Sequence, residues 1–191
     1  MKKIFATALL ALSLTASVAQ PSQPYQPTKA NLEARQHFQD EKFGIFLHWG
    51  LYSMLATGEW TMTNKDINYK EYAKLAGGFY PSRFNAREWV EAIKASGAKY
   101  ICFTTRHHEG FSMFKTKYSS YNIVDATPFK RDIVKELADE CHRQDIDIHF
   151  YYSHIDWQRE DAPLGRTGLG TGRPKDAQNW DSYYTFMNNQ L

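Results

Sequence analysis

The sequence predicts an α/β fold, specifically the N-terminal portion of a (β/α)8 TIM-like barrel. Three short apolar segments, residues 43–50, 98–105 and 146–153, alternate with amphipathic helical segments, a pattern typical of parallel sheets. Long loops follow the strands and the returns from helix to strand are tight, which suits a site built at one end of a barrel. A doubly wound sheet is the alternative, but no GxGxxG motif follows the first strand. About three βα units are present where such a barrel has eight, so we expect a barrel truncated at the C-terminus.

The first 19 residues have the pattern of a secretory signal peptide. Two lysines precede an apolar run over residues 4–18, and small residues end this run at the spacing of a cleavage site. The run is too short to cross a membrane comfortably, and no other stretch is long and apolar enough. We therefore expect an exported protein, located in the periplasm or outside the cell. Residues 20–29 form a Pro- and Gln-rich linker to the domain at residues 30–191.

The composition is that of a folded domain without a nucleic-acid partner. Aromatic residues make up 15% of the chain, which argues against disorder. Removing the two signal-peptide lysines from 23 basic residues leaves 21, equal to the 21 acidic residues, and there is no long basic run. Cys102 and Cys141 are expected to be buried thiols, although export leaves a disulfide between them open.

The elements before the second strand follow from local patterns. A helix over residues 31–40 precedes the first strand, and a loop is expected at residues 51–67. The stretch at residues 67–79 carries a short helix that ends at two consecutive glycines, Gly77 and Gly78. Asn85, with Glu88 three residues later, predicts the N-terminal cap of the helix that leads into the second strand.

The elements after the second strand repeat this arrangement. A helix over residues 131–144 precedes the third strand, a Gly- and Pro-rich loop covers residues 158–176, and a further helix begins at Asn179. The apolar side of the helix at 131–144 carries Ile133, Val134, Leu137 and Cys141.

Polar and aromatic side chains stand at the ends of all three predicted strands. The first strand ends in His48 and Trp49, the second in His107, His108 and Glu109, and the third in Tyr151, Tyr152 and Ser153, followed by His154, Asp156 and Trp157. In a parallel barrel these ends meet at one mouth. Hydrogen-bonding groups interleaved with Trp and Tyr suit a sugar, whose hydroxyls need fixed partners and whose C–H face stacks on an aromatic ring. The sequence therefore predicts a sugar-binding cleft.

A metal site is the rival interpretation of the same residues. The zinc ligands would be His48, His107, His108 and Asp156. Adjacent histidines rarely share one metal, and HxH or HxxxH spacing is absent here. We therefore predict no metal and no other cofactor.

Five ordered motifs resemble the catalytic domain of the glycoside hydrolase family 29 α-L-fucosidases. They are FGIFLHWGLYS, GEW, the stretch containing RHHEGF, RDIVKEL and FYYSHIDW, and the resemblance covers about residues 30–191. The resemblance implies a (β/α)8-like barrel and a retaining exo-α-L-fucosidase. Such an enzyme hydrolyses terminal α-L-fucosyl linkages of glycans or glycoconjugates without a cofactor.

The resemblance assigns substrate binding to six residues of this chain. His48, His107 and His108 would bind fucose hydroxyls. Glu59 and Trp60 would contact the sugar in the same subsite, and Tyr151 would lie close to the reacting centre.

The family's catalytic carboxylates have no counterpart here. The nucleophilic Asp follows the fourth strand and the acid/base comes later, so both are expected beyond Leu191. Three carboxylates are expected in the mouth, at Glu59, Glu109 and Asp156, but none matches those positions. A non-catalytic fucose-binding protein and a metal-dependent hydrolase therefore stay open as alternatives.

The chain departs from the usual family pattern at several positions. Arg106 and Glu109 replace the Lys and Asp of KHHDGF, Thr61 replaces a Tyr after EW, and His149-Phe150 stands where a Gly is common. These changes bear on the positioning of site residues and leave the implied class unchanged.

Overall fold

The computed structural model describes residues 24–191. The predicted signal peptide and the start of the predicted linker lie outside the described residues. No helix within residues 24–191 has both the length and the apolar character needed to cross a membrane. The described residues fall into two units, residues 24–37 and Phe38–Leu191. Helix α1, Lys29–Glu41, begins in the first unit, and every element that follows belongs to the second.

The second unit is built on a three-stranded parallel sheet. Its strands are β1 (Gly44–Leu47), β2 (Tyr100–Arg106) and β3 (Asp147–Tyr152), and they lie side by side in chain order. The register pairs Phe46 with Cys102, and Cys102 with His149. The predicted α/β class and parallel sheet are therefore confirmed.

The helices occupy the connections between strands. After α1, the α-helices are α2 (Thr61–Asn64), α3 (Tyr69–Ala73), α4 (Ala86–Ala95), α5 (Ile123–Ala126), α6 (Ile133–Gln144) and α7 (Trp180–Gln190). Short 3-10 helices cover Leu51–Leu55, Lys74–Gly78 and Leu169–Thr171.

Two helices start at asparagine caps: the cap at Asn85 was predicted, and Asn179, predicted as the first residue of a helix, is the cap of α7. The Asn85 side chain accepts a hydrogen bond from the Glu88 amide at the start of α4. Asn179 accepts one from the Ser182 amide, at 3.0 Å, at the start of α7. Each bond satisfies a backbone N–H that the helix itself leaves unpaired.

The predicted loop at residues 51–67 is wrong in part. It contains a 3-10 helix and α2, and its residues Leu51 and Met62 are fully buried. The sequence analysis also missed α5, whose cap Asn122 accepts from the Val124 amide at 3.0 Å. Elements of four or five residues are too short to show a helical period, so pattern analysis cannot detect them.

The core lies between the sheet and helices α4 and α6. Ile101 and Phe103 of β2 pack with Val90 of α4 and with Ile133 and Leu137 of α6. The predicted apolar side of α6 therefore faces the sheet.

The opposite face of the sheet is partly open among the described residues. Successive strand side chains alternate between faces, so Cys102 lies on the face opposite α4 and α6, where Phe38 of α1 also packs, while Cys141 lies in the core. Both cysteines are free thiols. Phe46 on the open face is half exposed. Gly44 leaves room for the Tyr100 ring, since a Cβ at this glycine would lie 2.3 Å from the ring.

Candidate functional site

The carboxyl ends of the three strands bring three predicted site residues together. His48 follows β1, His107 follows β2, and Tyr151 lies near the end of β3. Ring centroids are 5.6 Å apart for His48 and His107, 5.9 Å for His107 and Tyr151, and 6.2 Å for His48 and Tyr151. Parallel strands place their carboxyl ends at one edge of a sheet, so residues distant in sequence form one cluster.

The backbone near His48 is anchored to the neighbouring strand. The Trp49 amide donates to Thr104 Oγ1 at 3.1 Å, and the Thr104 hydroxyl also reaches the Leu47 carbonyl, at 3.3 Å. The His48 side chain itself is exposed. The chain therefore fixes where His48 leaves the sheet and keeps its imidazole open to a ligand.

The adjacent histidines reach one cluster because the strand has already ended. The Gly110 amide donates to the His107 carbonyl at 3.0 Å, which closes a turn after β2. Gly110 has φ of 76°, a conformation that favours glycine, and a Cβ there would lie 2.6 Å from Asp156 Oδ1. In this turn the His107 and His108 ring centroids lie 4.1 Å apart.

Two tryptophans form a wall beside His108. The Trp60 ring meets His108 edge to face at 5.2 Å, and the Trp157 ring centroid is 5.1 Å from His108. The two tryptophans contact each other at 5.4 Å. Trp157 is buried and its amide donates to the His108 carbonyl at 2.7 Å, whereas Trp60 is half buried. Trp60 is thus the aromatic surface that a ligand can reach.

Glu59 places a negative charge beside this wall. Burial and the neighbouring His107 lower the pKa of His48, while the Glu59 carboxylate opposes that shift. Burial, followed by His107, lowers the pKa of His108 to about 4, again against Glu59. Both imidazoles are therefore neutral near pH 7, and each offers one donor and one acceptor.

The structure thus brings all six predicted binding residues into one cluster at the carboxyl edge of the sheet, where the sequence predicts a cleft. Ring contacts join His48, Trp60, His107, His108 and Tyr151, and Glu59 acts electrostatically on His48 and His108.

Two carboxylates expected in the mouth lie beneath it instead. Glu109 is buried, with Oε2 3.4 Å from His107 Nδ1, and neither atom has a hydrogen-bond partner among the described residues. Asp156 forms an ion pair with Arg106, and both side chains are fully buried. Its other oxygen, Oδ1, accepts from the Gln158 and Arg159 amides at 2.7 and 2.9 Å.

The Asp156 contacts weigh against the four-ligand metal site. A carboxylate paired with a guanidinium and two amides has few lone pairs left for a metal. Within residues 24–191, the site histidines and carboxylates do not form a group whose ligand atoms converge.

Arg106 ties the second strand to the third. Its Nη1 donates to the Ser153 carbonyl at 3.3 Å, and its guanidinium lies 5.1 Å from the Tyr152 ring centroid. A buried guanidinium requires such partners, because an unpaired charge is costly to remove from water. Arg106 is therefore a structural group below the cleft.

Tyr52 is a site neighbour that the sequence analysis missed. It is buried, its ring centroid lies 5.4 Å from His107, and its hydroxyl lies 3.2 Å from Thr104 Oγ1. It belongs to the 3-10 helix in the stretch predicted as loop. The adjacent apolar residues Leu51 and Tyr52, directly after the HWG motif, were the available signal in the sequence.

Comparisons with known proteins agree with this geometry. The profile of the family described as "Alpha-L-fucosidase" matches residues 12–191. The α-L-fucosidase of Branchiostoma floridae is 40% identical over 172 residues, which are 78% of this chain and 37% of the relative.

Solved structures of α-L-fucosidases share the fold. Isoenzyme 1 from Paenibacillus thiaminolyticus matches with a TM-score of 0.75 at 34% identity, over 83% of this chain and 39% of its own. The enzyme AlfC from Lactobacillus casei, in complex with α-L-fucose product, matches with a TM-score of 0.72 at 34% identity, over 82% of this chain and 54% of its own.

The match covers most of this chain but only part of each relative. The chain spans about a third of the length of the curated relatives it matches, while those relatives cover 70–78% of this chain. The family profile covers well over half of the chain. The chain therefore belongs to the α-L-fucosidase family, glycoside hydrolase family 29.

Proposed function

We propose that this chain is the fucose-binding part of a retaining exo-α-L-fucosidase that hydrolyses terminal α-L-fucosyl linkages of glycans or glycoconjugates. The observation that carries the proposal is the convergence of His48, His107 and Tyr151, whose ring centroids lie within 6.2 Å of one another beside Trp60 and Glu59. Family membership supports the same activity, as does the AlfC neighbour, which was solved with α-L-fucose product.

The proposed roles follow from the chemistry of each group. Neutral His48 and His108 hydrogen-bond sugar hydroxyls without introducing charge, and the His107 imidazole offers a further hydrogen-bonding group. Trp60 offers a ring face or edge to the C–H side of the sugar, and the Glu59 carboxylate accepts from hydroxyls. A site that pairs each hydroxyl discriminates against sugars that lack one.

The catalytic pair is proposed to lie beyond Leu191. Retaining hydrolysis needs two carboxyl groups about 5–5.5 Å apart, one as nucleophile and one as acid/base. Asp156 is paired with Arg106 and Glu109 is buried beneath His107, which leaves Glu59 as the carboxylate beside the histidines among the residues discussed. The described part of the chain is thus suited to hold the sugar.

The barrel and the exported location are part of the same proposal. The chain-order parallel sheet, with α4 and α6 covering one face, supports the start of a (β/α)8 barrel. The lysine-led apolar run at the N-terminus supports export to the periplasm or outside the cell.

Binding of L-fucose to the 191-residue chain tests the proposal directly. We expect saturable binding by isothermal titration calorimetry, with D-fucose as the enantiomeric control. Replacing Trp60 by Ala should weaken binding, whereas the matched change Trp180→Ala should not, because Trp180 is exposed on α7 away from the cleft. Equal binding of both enantiomers would contradict a built fucose site.

Turnover separates the proposal from its alternatives. We expect the product of the gene that encodes this chain to hydrolyse 4-nitrophenyl α-L-fucopyranoside in EDTA, with retained configuration in the first-formed fucose. Loss of activity in EDTA would favour the metal-dependent hydrolase. Binding without turnover would favour the non-catalytic fucose-binding protein, for which the absence of a paired carboxylate around the described cleft is the supporting observation.

A further inference from the structure

The hydroxyl of Ser153 joins the loop after β3 to the ring of His108. Ser153 is buried, and its Oγ lies 2.7 Å from His108 Nδ1. The same oxygen lies 2.7 Å from the Ile155 carbonyl oxygen and 3.0 Å from the Ile155 amide nitrogen. These contacts determine where the hydrogen between Ser153 and His108 resides.

A count of hydrogens gives a single arrangement. A carbonyl oxygen carries no hydrogen, so the contact with Ile155 O requires the hydroxyl hydrogen of Ser153. The Ile155 amide contributes its own hydrogen. Because Ser153 has used its only hydrogen, it can only accept from His108, and Nδ1 must be protonated.

The opposite ring nitrogen is then an acceptor. A neutral imidazole carries one hydrogen, so protonation at Nδ1 leaves Nε2 with a free lone pair. Among residues 24–191, Nε2 has no hydrogen-bond partner, and it is not one of the buried unpartnered atoms. It is therefore open to a ligand.

We propose that Ser153 is a positioning residue that holds His108 in the Nδ1–H tautomer, so that His108 Nε2 accepts a hydrogen bond from one hydroxyl of the bound sugar. The identity of the sugar rests on the proposed function, whereas the tautomer rests on the contacts of the protein alone. The site thereby favours a ligand that donates a hydrogen bond to His108 Nε2 and disfavours one that can only accept a hydrogen bond there.

The surroundings of His108 hold the ring in place. The Trp157 amide donates to the His108 carbonyl, and the Trp60 edge packs against the ring. Arg106 donates to the Ser153 carbonyl, so the hydroxyl that anchors the ring is itself fixed. The low pKa of His108, caused by burial and by His107 and His48 against Glu59, keeps the ring neutral near pH 7.

Nitrogen-15 NMR of the histidine-labelled, unliganded chain tests the tautomer. We expect His108 to show a protonated Nδ1 and an unprotonated Nε2 in long-range nitrogen–proton correlations. In Ser153→Ala the acceptor is lost, so the spectrum should shift toward the Nε2–H form. Ser153→Thr keeps a hydroxyl and should restore the original pattern, and Ser120→Ala is the exposed-serine control. An Nε2–H ring in the wild-type chain would overturn the proposal without any variant.

Deoxyfluoro analogues of L-fucose test the acceptor role. Fluorine cannot donate a hydrogen bond, so the analogue fluorinated at the hydroxyl that meets Nε2 should bind about 2- to 10-fold more weakly than L-fucose. That penalty should shrink in Ser153→Ala, because the Nε2–H tautomer can face fluorine. An unchanged Nε2 resonance on addition of saturating L-fucose would overturn the acceptor role.

The two failures are distinguishable. If L-fucose does not bind while His108 shows Nδ1–H, both the proposed function and the hydrogen bond from the sugar to Nε2 are wrong. The tautomer assignment is then still correct. If L-fucose binds and His108 is Nε2–H, the inference falls and the proposed function stands.

Discussion

The ends of the first and second strands carry neighbouring parts of one cleft, but they are built differently. After β1, the His48 side chain is exposed, touches neighbouring aromatic rings, and has no hydrogen bond of its own among the described residues, while the backbone beside it is anchored by the contact of Trp49 with Thr104. After β2, Arg106 and His108 are only 1% and 8% exposed, and their contacts continue to Asp156 and Ser153. A substitution at the end of β1 should therefore alter ligand binding without altering stability, whereas a substitution at the end of β2 should alter both.

The largest effect that this comparison predicts comes from breaking the buried ion pair. Arg106→Met leaves the Asp156 carboxylate buried without its partner, which typically lowers the free energy of unfolding by about 3–5 kcal/mol. Denaturant unfolding measures the change. The exposed pair of Arg87 with Glu91 is the matched control, and Arg87→Met should cost about 1 kcal/mol or less. A double variant, Arg106→Met with Asp156→Leu, should lose less unfolding free energy than Arg106→Met alone, because no buried charge is left unpaired. An equal loss of unfolding free energy would count against this explanation.

The next effect concerns the buried histidine. His108→Ala leaves the Ser153 hydroxyl without one partner and opens a gap beside Trp60 and Trp157, so we expect a loss of about 1–3 kcal/mol in unfolding free energy. Fucose binding should weaken in the same variant. If stability were unchanged, the second strand end would not differ from the first in the way described.

Acidification should reveal the same contrast. The folded pKa of His108 is about 4, below the ordinary value of 6.5, because burial disfavours the charged ring. Between these values the unfolded chain binds a proton that the folded chain does not, so folding stability from this group falls as pH drops from about 6.5 toward 4. In His108→Gln the slope of stability against pH over this window should be shallower than in the wild type. An identical slope would show that other groups dominate the acid response.

The smallest effect on stability is expected at the first strand end. His48→Ala removes an exposed ring, so the unfolding free energy should change by no more than about 0.5 kcal/mol. L-fucose binding should nevertheless weaken about 2- to 10-fold through loss of one hydrogen bond. His142→Ala on the exposed side of α6 is the matched control and should alter neither quantity. A large stability loss in His48→Ala would remove the distinction between the two strand ends.

The same difference explains how far the sequence could be interpreted. The three strands and the caps at Asn85 and Asn179 were predictable because alternation, apolar runs and side-chain capping are local features. The six residues proposed to bind the sugar could be singled out because all lie at strand ends or in family motifs, and their binding role stays a prediction. Local patterns could not predict which of the polar residues after the strands are buried. Glu109 and Asp156 both follow strands, yet the turn at Gly110 and the pairing of Asp156 with Arg106 place their carboxylates beneath the site.

Short helices are a second feature that the sequence could not predict. Leu51–Leu55 and Thr61–Asn64 each complete barely more than one turn, so no period distinguishes them from a loop. They are held by tertiary burial of Leu51 and Met62, which no window of sequence reports. Tyr52 went unnoticed for the same reason, although its ring lies 5.4 Å from His107.

The hydrogen bond from the Trp157 amide to the His108 carbonyl also has a dynamic consequence. Together with the bond from the Ser153 amide to the Arg106 carbonyl, at 2.9 Å, it joins the segments after β2 and β3 into one cooperative unit. Neither segment can swing outward while the other stays in place. In hydrogen exchange, the amides of Ser153 and Trp157 should therefore share one protection free energy, because a single opening event exposes both.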